Sequence, residues 1–532
     1  MTNKKSPTLL VILDGWGVAP PSRGNAITLA KKPNLEQLFR EYPSTTLGAT
    51  GGDVGLEDNK MSGSEAGHMN IGAGRTIAQD SLFISESIKG GSFFFNQVLL
   101  DSIAHTKKFK SNLHVMGLMG NSDSPHSDPE HFQAILRMAK KNGVKEVFLH
   151  FFTDGRDSYP KSALEHLKKF RKIIKKEGLG KIVTIGGRFY AMDRVKNWKR
   201  LMVAYDAMVF SRGEIAVSAE EAIEKAYKNN LTDEYILPTV ILENGKPIAN
   251  VSKNDSIILY NLRSDRSRQF TKLFVAENKK HIIADNMPVV DRIENLYFVA
   301  MTDFGPDLDV HTAFPSCPVH TTLPFVLKKI KQLYVAESEK FAHITYFLNG
   351  GHHNQADGED RFMINSPDVD SYAHVPEMSA SKITEYVLQK IKEDAYDFIA
   401  LNFANADMVG HTGDLEATVK AVEFLDKQVG ILSKEILKRE GNMIITADHG
   451  NADDMIDFEV DQPNTFHTKN PVPFLLVSEK FKQNKLREDG VLGNVAPTLL
   501  EILGVKRPEE MIRGSLMNSC EDTNECKVSF QR

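Results

Sequence analysis

Short hydrophobic runs recur along the chain and end on aspartates. Leu9-Leu10-Val11-Ile12-Leu13 stops at Asp14, the run from Phe398 through Ala406 reaches Asp407 with His411 a helical turn further on, and Met443-Ile444-Ile445 leads to Asp448-His449. Runs this short and apolar on both faces predict buried strands of a parallel sheet rather than half-exposed antiparallel ones. In open α/β sheets ligands gather beyond the carboxyl ends of the strands. Asp14, Asp407 and Asp448 stand at those ends.

Elsewhere, helical spacing of apolar residues predicts helices over 34–41, 131–141, 162–177, 323–335, 381–393 and 416–439. Strands are expected over 144–152, 181–185, 343–348, 397–403 and 442–446. The glycine-dense stretch 48–74 predicts irregular chain shaped around something. The rhythm changes near residue 80 and returns near Cys317, so the expected fold is two α/β domains. One comprises residues 1–79 and 316–532 and holds the three strand-end aspartates; the other, 80–315, is an insertion joined by two crossings, a natural hinge. The polar tail after Leu516 reads as loosely ordered.

Composition narrows the classes. With 41% hydrophobic and 25% charged residues among 532, the chain reads as an ordinary globular enzyme. A formal net charge of −5 argues against a nucleic-acid surface. The apolar run before Asp14 is too short for a signal peptide, and no run approaches a membrane span. Three cysteines, Cys317, Cys520 and Cys526, lack zinc-motif spacing, which points to a reduced, cytoplasmic setting in which Cys520 and Cys526 are read as two free thiols, the alternative being a pair across the tail.

Asp407 and His411 are four apart, so a helical turn places both on one side. Asp448 and His449 can act together only through a turn beyond the strand, which Gly450 permits. His467 adds an imidazole. Such a carboxylate and imidazole set suits manganese, zinc, cobalt or magnesium, and six ligands are too many for one catalytic ion, so two metals are expected. A metal pair can clamp both oxygens of a phosphoryl displacement. The bland alternative is a set of aspartates capping helices.

In Lys60-Met61-Ser62-Gly63-Ser64-Glu65-Ala66-Gly67-His68 a serine lies among glycines where a helix can begin and its N–H groups can hold a phosphate. Ser64 is a better nucleophile candidate than Ser62, and metal coordination could activate its hydroxyl. Its alternative role is a helix N-cap.

Taken in order, Leu13-Asp14-Gly15-Trp16-Gly17, Ser64-Glu65-Ala66-Gly67-His68, Asp154-Gly155-Arg156-Asp157, Gly187 to Arg194, Asn405 to His411 and Thr446 to Asn451 resemble, essentially end to end, the cofactor-independent (2,3-bisphosphoglycerate-independent) phosphoglycerate mutases of the alkaline phosphatase superfamily. The resemblance implies an alkaline-phosphatase-like metal-binding domain interrupted by a substrate-binding domain. It implies one metal on Asp407, His411 and His467 and a second on Asp14, Ser64, Asp448 and His449, with manganese foremost and magnesium, zinc or cobalt as alternatives. His126, Arg156, Asp157, Arg188, Arg194, Arg263 and Arg266 would bind 2- and 3-phosphoglycerate, and Lys340 would reach the phosphate. Guanidinium forks suit a substrate carrying a phosphate and a carboxylate, although each arginine alone reads as a solvated surface residue. Asp157, beside Arg156, is expected to be a general base for a glycerate hydroxyl or else a mere partner to that arginine.

The implied reaction is interconversion of 3- and 2-phosphoglycerate through a phosphoserine, by a monomer that binds neither nucleic acid nor membrane. The rivals are a phosphopentomutase or metal-dependent phosphatase of the same superfamily, and a non-catalytic metal-binding scaffold. The chain departs from the family at Gly63, where asparagine is usual, at Asp128, where a second histidine is usual, and at Ser264, where proline is usual. His352 and His353 are expected to make surface or closure contacts rather than to bind a further metal.

Overall fold

The computed structural model describes residues 6–58, 60–122, 124–275, 286–305, 307–315, 319–459 and 461–517. The readings made for Cys317, Cys520 and Cys526 lie outside them. The chain divides into two compact units, Met1–Gln79 with Cys317–Arg532, and Asp80–Ser316.

The first unit is built on an eight-stranded sheet in the order Glu359–Ile364, Gln332–Glu337, Phe398–Phe403, Thr8–Leu13, Asn442–Thr446, Val472–Val477, Ser44–Gly48 and Gly490–Val491. Its first five strands are mutually parallel, and the antiparallel strand Val472–Val477 follows them. Thr8–Leu13 is buried along its whole length, as are both its neighbours, which is why all three read as mainly apolar runs without a charged residue. Their register sets Leu13 beside Phe403 and Ile12 beside Thr446. Asp14, Asp407 and Asp448, scattered in sequence, therefore leave the sheet at one edge.

The second unit carries a sheet in the order His311–Phe314, Tyr297–Thr302, Ser256–Leu259, Leu113–Leu118, Val147–Thr153, Lys181–Gly187, Thr239–Glu243 and Glu214–Ala216, with Lys246–Pro247 paired to Thr239–Glu243. Only the pairings of Thr239–Glu243 with Lys181–Gly187 and with Lys246–Pro247 are antiparallel. Helices cover it, among them Pro129–Lys141, whose N-cap is Asp128: its carboxylate accepts from the Glu130 amide at 2.8 Å. At this departure from the family the chain has a strong helix start.

Three expectations about elements need correction. The span 323–335 is not one helix but a short turn, Leu323–Val326, followed by the strand Gln332–Glu337. Gln332-Leu333-Tyr334-Val335 is buried on both faces, and that burial imitates helical periodicity in a short window. The stretch 343–348 is a wide helical turn over His343–Phe347 rather than a strand, held from its start by the His343 and Ile344 amides donating to the Lys340 carbonyl at 3.1 and 3.2 Å. The glycine-dense segment 48–74 includes a regular helix, Ser64–Ala73. Gly67 is required inside it: a Cβ there would lie 2.6 Å from the Asp448 carbonyl oxygen. Among the described residues no helix is long and apolar enough to cross a membrane.

Candidate active site

Each functional group of the first unit is placed by a turn leaving the sheet. Asp14 ends the central strand, and Gly15 turns the chain with φ +76°, where a Cβ would sit 2.7 Å from Asp407 Cα. Asp407 and His411 lie on the helical turn Asn405–Gly410 and its cap, so their i, i+4 spacing puts both on one side. Past Asp448 and His449, Gly450 bridges Thr468, which lays His467 against His449 with ring centroids 3.9 Å apart. Ser64 opens its helix, and Gly63 before it is extended, at φ −149° and ψ 174°.

The groups converge. The Ser64 hydroxyl faces Asp14 Oδ1 at 3.2 Å and His449 Nε2 at 3.0 Å, and receives a hydrogen bond from Lys340 Nζ at 2.8 Å. Lys340 also donates to Asp14 Oδ1 and Asp407 Oδ2, both at 2.6 Å. His411 Nε2 and His467 Nε2 stand 3.2 and 3.3 Å from Asp407 Oδ1 and 3.1 Å from each other. His449 Nε2 is 3.5 Å from both Asp14 Oδ1 and Asp448 Oδ2.

This arrangement fits metal. The Nδ1 atoms of His411, His449 and His467 lie 2.8, 3.3 and 2.7 Å from the carbonyl oxygens of Thr465, Gly450 and Ser62. Donation there leaves each Nε2 lone pair turned toward carboxylates, an arrangement that makes sense around a cation. Three buried carboxylates, Asp14, Asp407 and Asp448, face one ammonium, that of Lys340. Unbalanced buried charge is costly, so the pocket calls for divalent cations. Asp407, His411 and His467 form one group whose ligand atoms lie within 4.8 Å of one another; Asp14, Asp407 and His449 form another, and Asp14, His68 and Asp448 a third.

Electrostatics within the pocket are lopsided. Burial works against the Lys340 ammonium, but Asp14, Asp407 and Asp448 outweigh it and hold its pKa well above the usual lysine value. Burial and the neighbouring Asp448 push Asp14 up. Burial opposes ionisation of Asp407 too, yet His411 and Lys340 keep it ionised far below the usual range.

His68, Asn402 and Asn451 were not singled out from sequence. His68 Nδ1 lies 2.9 Å from the Ser64 carbonyl and 3.2 Å from Asp448 Oδ2. Asn402 donates to Asp14 Oδ2 at 2.7 Å, and Asn451 to Asp407 Oδ1 at 3.3 Å. The one signal was the four-residue spacing of Ser64 and His68 on a helix. His352 packs on His320 and Phe325 and belongs to none of the metal-capable groups; His353 lies against Tyr346.

In the second unit the basic residues also gather. Arg188, 3% exposed, donates from Nη1 to Asp154 Oδ1 at 2.6 Å and to Asp157, and from Nη2 to His126 Nε2 at 2.8 Å. Asp157 is thus paired with Arg188 and not with Arg156, which is half-exposed and lies 3.8 Å from Glu234; the nearer guanidinium belongs to a residue distant in sequence. Burial opposes the Asp157 charge, but Arg188 and His126 outweigh it and hold the carboxyl well below its usual range. Burial and then Arg188 bring His126 down to about 4.

Asp265, also missed from sequence, stands 3.6 Å from both Arg194 and Arg263. Arg266 is depressed by burial and by the crowding of Arg194, Arg156 and Arg188. Guanidiniums do not deprotonate in proteins, so such crowding is the mark of a site that a bound anion relieves.

Comparison with known proteins now decides the family. A model of the metalloenzyme superfamily matches residues 6–507. The 2,3-bisphosphoglycerate-independent phosphoglycerate mutase of Clostridium novyi is 46% identical over 515 residues, covering 96% of this chain and 99% of that protein. The chain belongs to this mutase family. The mutase of the same name from Clostridioides difficile is 46% identical over 517 residues, with 97% and 99% covered. The crystal structure of Leishmania mexicana phosphoglycerate mutase at low cobalt concentration superposes with a TM-score of 0.86 at 28% identity, covering 97% of this chain and 98% of that one. As a mutase of this family the protein is an enzyme built on the metalloenzyme fold, and its clustered carboxylates and imidazoles bind divalent metal.

Proposed function

We propose that the protein interconverts 3-phosphoglycerate and 2-phosphoglycerate without bisphosphoglycerate, using Ser64 as the phosphoryl acceptor. The observation that carries the reading is the Ser64 hydroxyl, set among Asp14, His449 and Lys340 in a chain 46% identical to mutases of that name. In this reading the unit formed by residues 1–79 and 316–532 is the phosphatase-like domain, and residues 80–315 bind the substrate.

Two divalent ions, manganese foremost, would supply charge neutralisation at the phosphoryl oxygens and acidify the serine hydroxyl. Asp407, His411 and His467 would hold one, and Asp14, Ser64, Asp448 and His449 the other. Lys340, held as an ammonium, cannot be the base. It serves instead as a fixed positive charge and hydrogen-bond donor at the oxygen that bonds to phosphorus.

In the substrate domain, Arg156, Arg188, Arg194, Arg263, Arg266 and His126 would hold the carboxylate and phosphate. Asp157 is assigned as the base for the glycerate hydroxyl. Paired to Arg188 it is a weak one, and a substrate carboxylate drawing on that guanidinium would strengthen it. The mutase reading is favoured over a simple phosphatase because so many guanidiniums crowd one place, more than a single phosphate needs. The enzyme is further read as a cytoplasmic monomer, which light scattering tests for its second term. An enolase-coupled assay on 3-phosphoglycerate, without bisphosphoglycerate, tests the function. Release of inorganic phosphate in place of 2-phosphoglycerate would replace the mutase reading with the phosphatase one.

A further inference from the structure

Ser62 lies two residues before Ser64, and its hydroxyl has no part in the chemistry assigned so far. The residue is 2% exposed, and its Oγ has no hydrogen-bond partner among the described residues. Buried hydroxyls are almost always paired, because desolvating one without a partner is unfavourable. The Ser62 backbone, by contrast, is engaged: its carbonyl lies 2.7 Å from His467 Nδ1. The segment is therefore fixed while its side chain is left unsatisfied.

The local backbone gives that side chain a direction. Gly63 between the two serines is extended, and in extended chain residues i and i+2 point to the same side, about 7 Å apart. Ser64 points at Asp14, His449 and Lys340. Extended geometry at Gly63 therefore sets Ser62 on the side on which Ser64 would carry a phosphoryl group, at a separation of about 7 Å that a tetrahedral phosphoryl group and one hydrogen bond would span. Gly63 contributes no side chain to fill it, and a Cβ there would meet the His467 ring at 3.3 Å.

We propose that the Ser62 hydroxyl donates a hydrogen bond to a non-bridging oxygen of the phosphoryl group carried by Ser64, making Ser62 a phosphoryl-binding residue of this enzyme. The proposal rests on the phosphoserine reading above. It explains a buried hydroxyl that the protein alone leaves unpaired: the partner arrives with the substrate and is absent in the free enzyme. The bond is made only once phosphorus is on Ser64, so it favours the phosphoenzyme and the transition states on either side over the bound substrate.

The test is Ser62→Ala in the full-length, manganese-loaded protein, with orthovanadate as the probe of the phosphoryl position. Vanadate affinity should fall about tenfold, the worth of one well-placed hydrogen bond. Turnover should fall by a similar factor with little change in KM. Thermal stability should not fall, because the deleted hydroxyl has no partner in the free protein. Ser62→Thr, which keeps a hydroxyl, should recover vanadate affinity. Unchanged vanadate affinity in Ser62→Ala would overturn the assignment. So would a loss accompanied by a lower melting temperature or by failure to fold, since Ser62 would then be supporting structure. Ser64→Ala separates the two layers. If it retains turnover, the phosphoserine reading falls; if it is inactive while Ser62→Ala matches the parent, only the role of Ser62 falls.

Discussion

Lys340 Nζ lies 2.8 Å from Ser64 Oγ while two carboxylates, Asp14 and Asp407, hold it at 2.6 Å each. The ammonium is aimed at the nucleophile by groups that are themselves ligand candidates, so the charge state of the pocket and the position of the lysine are set together.

Metal removal should therefore cost both activity and stability. After exhaustive chelation, turnover of 3-phosphoglycerate should be lost and the melting temperature of the protein should drop. At a metal concentration about 100 times Kd, the bound ion contributes about 2.7 kcal/mol to the folded state. Adding back single metals and measuring rates and melting curves identifies the ion that works. Full activity with an analytically empty site would defeat the metal assignment.

Ser64→Ala should reduce turnover by roughly 10³-fold or more, because it removes the covalent step rather than a contact. Binding of 3-phosphoglycerate, measured by calorimetry, should change little. A variant that turns over near the parent rate would eliminate the phosphoserine route.

Arg188→Met should destabilise the substrate domain by about 3–5 kcal/mol, since it strands Asp154 and Asp157 beside a buried and uncompensated site. Denaturant unfolding followed by a probe in residues 80–315 reads this directly. A shift well under 1 kcal/mol would mean that water or another cation already serves those carboxylates.

Acid should weaken the protein through His126. In the unfolded chain its pKa is 6.5, but in the fold burial and Arg188 bring it down to about 4. The unfolded state therefore binds the extra proton first, and stability falls as the pH drops from 6.5 to 4, by about 3 kcal/mol at the lower end. His126→Gln should flatten this stretch of the stability curve. An unchanged slope in that variant would assign the acid sensitivity to other groups.

Glycerate should stay bound between the two phosphoryl transfers, because the guanidiniums grip its carboxylate throughout. Incubation of unlabelled 3-phosphoglycerate with labelled free glycerate should leave little label in either phosphoglycerate at early turnover. Incorporation as fast as isomerisation would show that glycerate dissociates midway.

The strand-end aspartates were readable because a strand buried on both faces carries few polar residues and no charged one, so the first charge marks its end. Asp14, Asp407 and Asp448 stood out for that reason, and His411 followed from helical spacing. His68 and Asn402 did not stand out. His68 sits on the inner face of a helix that glycine content disguised as loop, and Asn402 lies inside an apolar strand with its amide turned to Asp14. Sequence offers Arg156 as a partner for Asp157 only because it shows neighbours, whereas the fold brings Arg188 across from the end of another strand. The segments 323–335 and 343–348 were misread because a short buried run carries too few turns to separate a period of 3.6 from one of 2.

The central position of Thr8–Leu13 has a consequence for biogenesis. Its partners on either side are Phe398–Phe403 and Asn442–Thr446, so this strand is made long before either of them. At about 5–20 residues per second, a ribosome takes about 20–80 s to reach the first of those partners after the amino-terminal strand has been synthesised. Residues 80–315, which belong to the compact second unit, are complete well before then, while the amino-terminal segment waits. An apolar strand exposed for that long is a natural client for a chaperone that binds nascent chains. A chain truncated before residue 398 would leave it permanently unpaired.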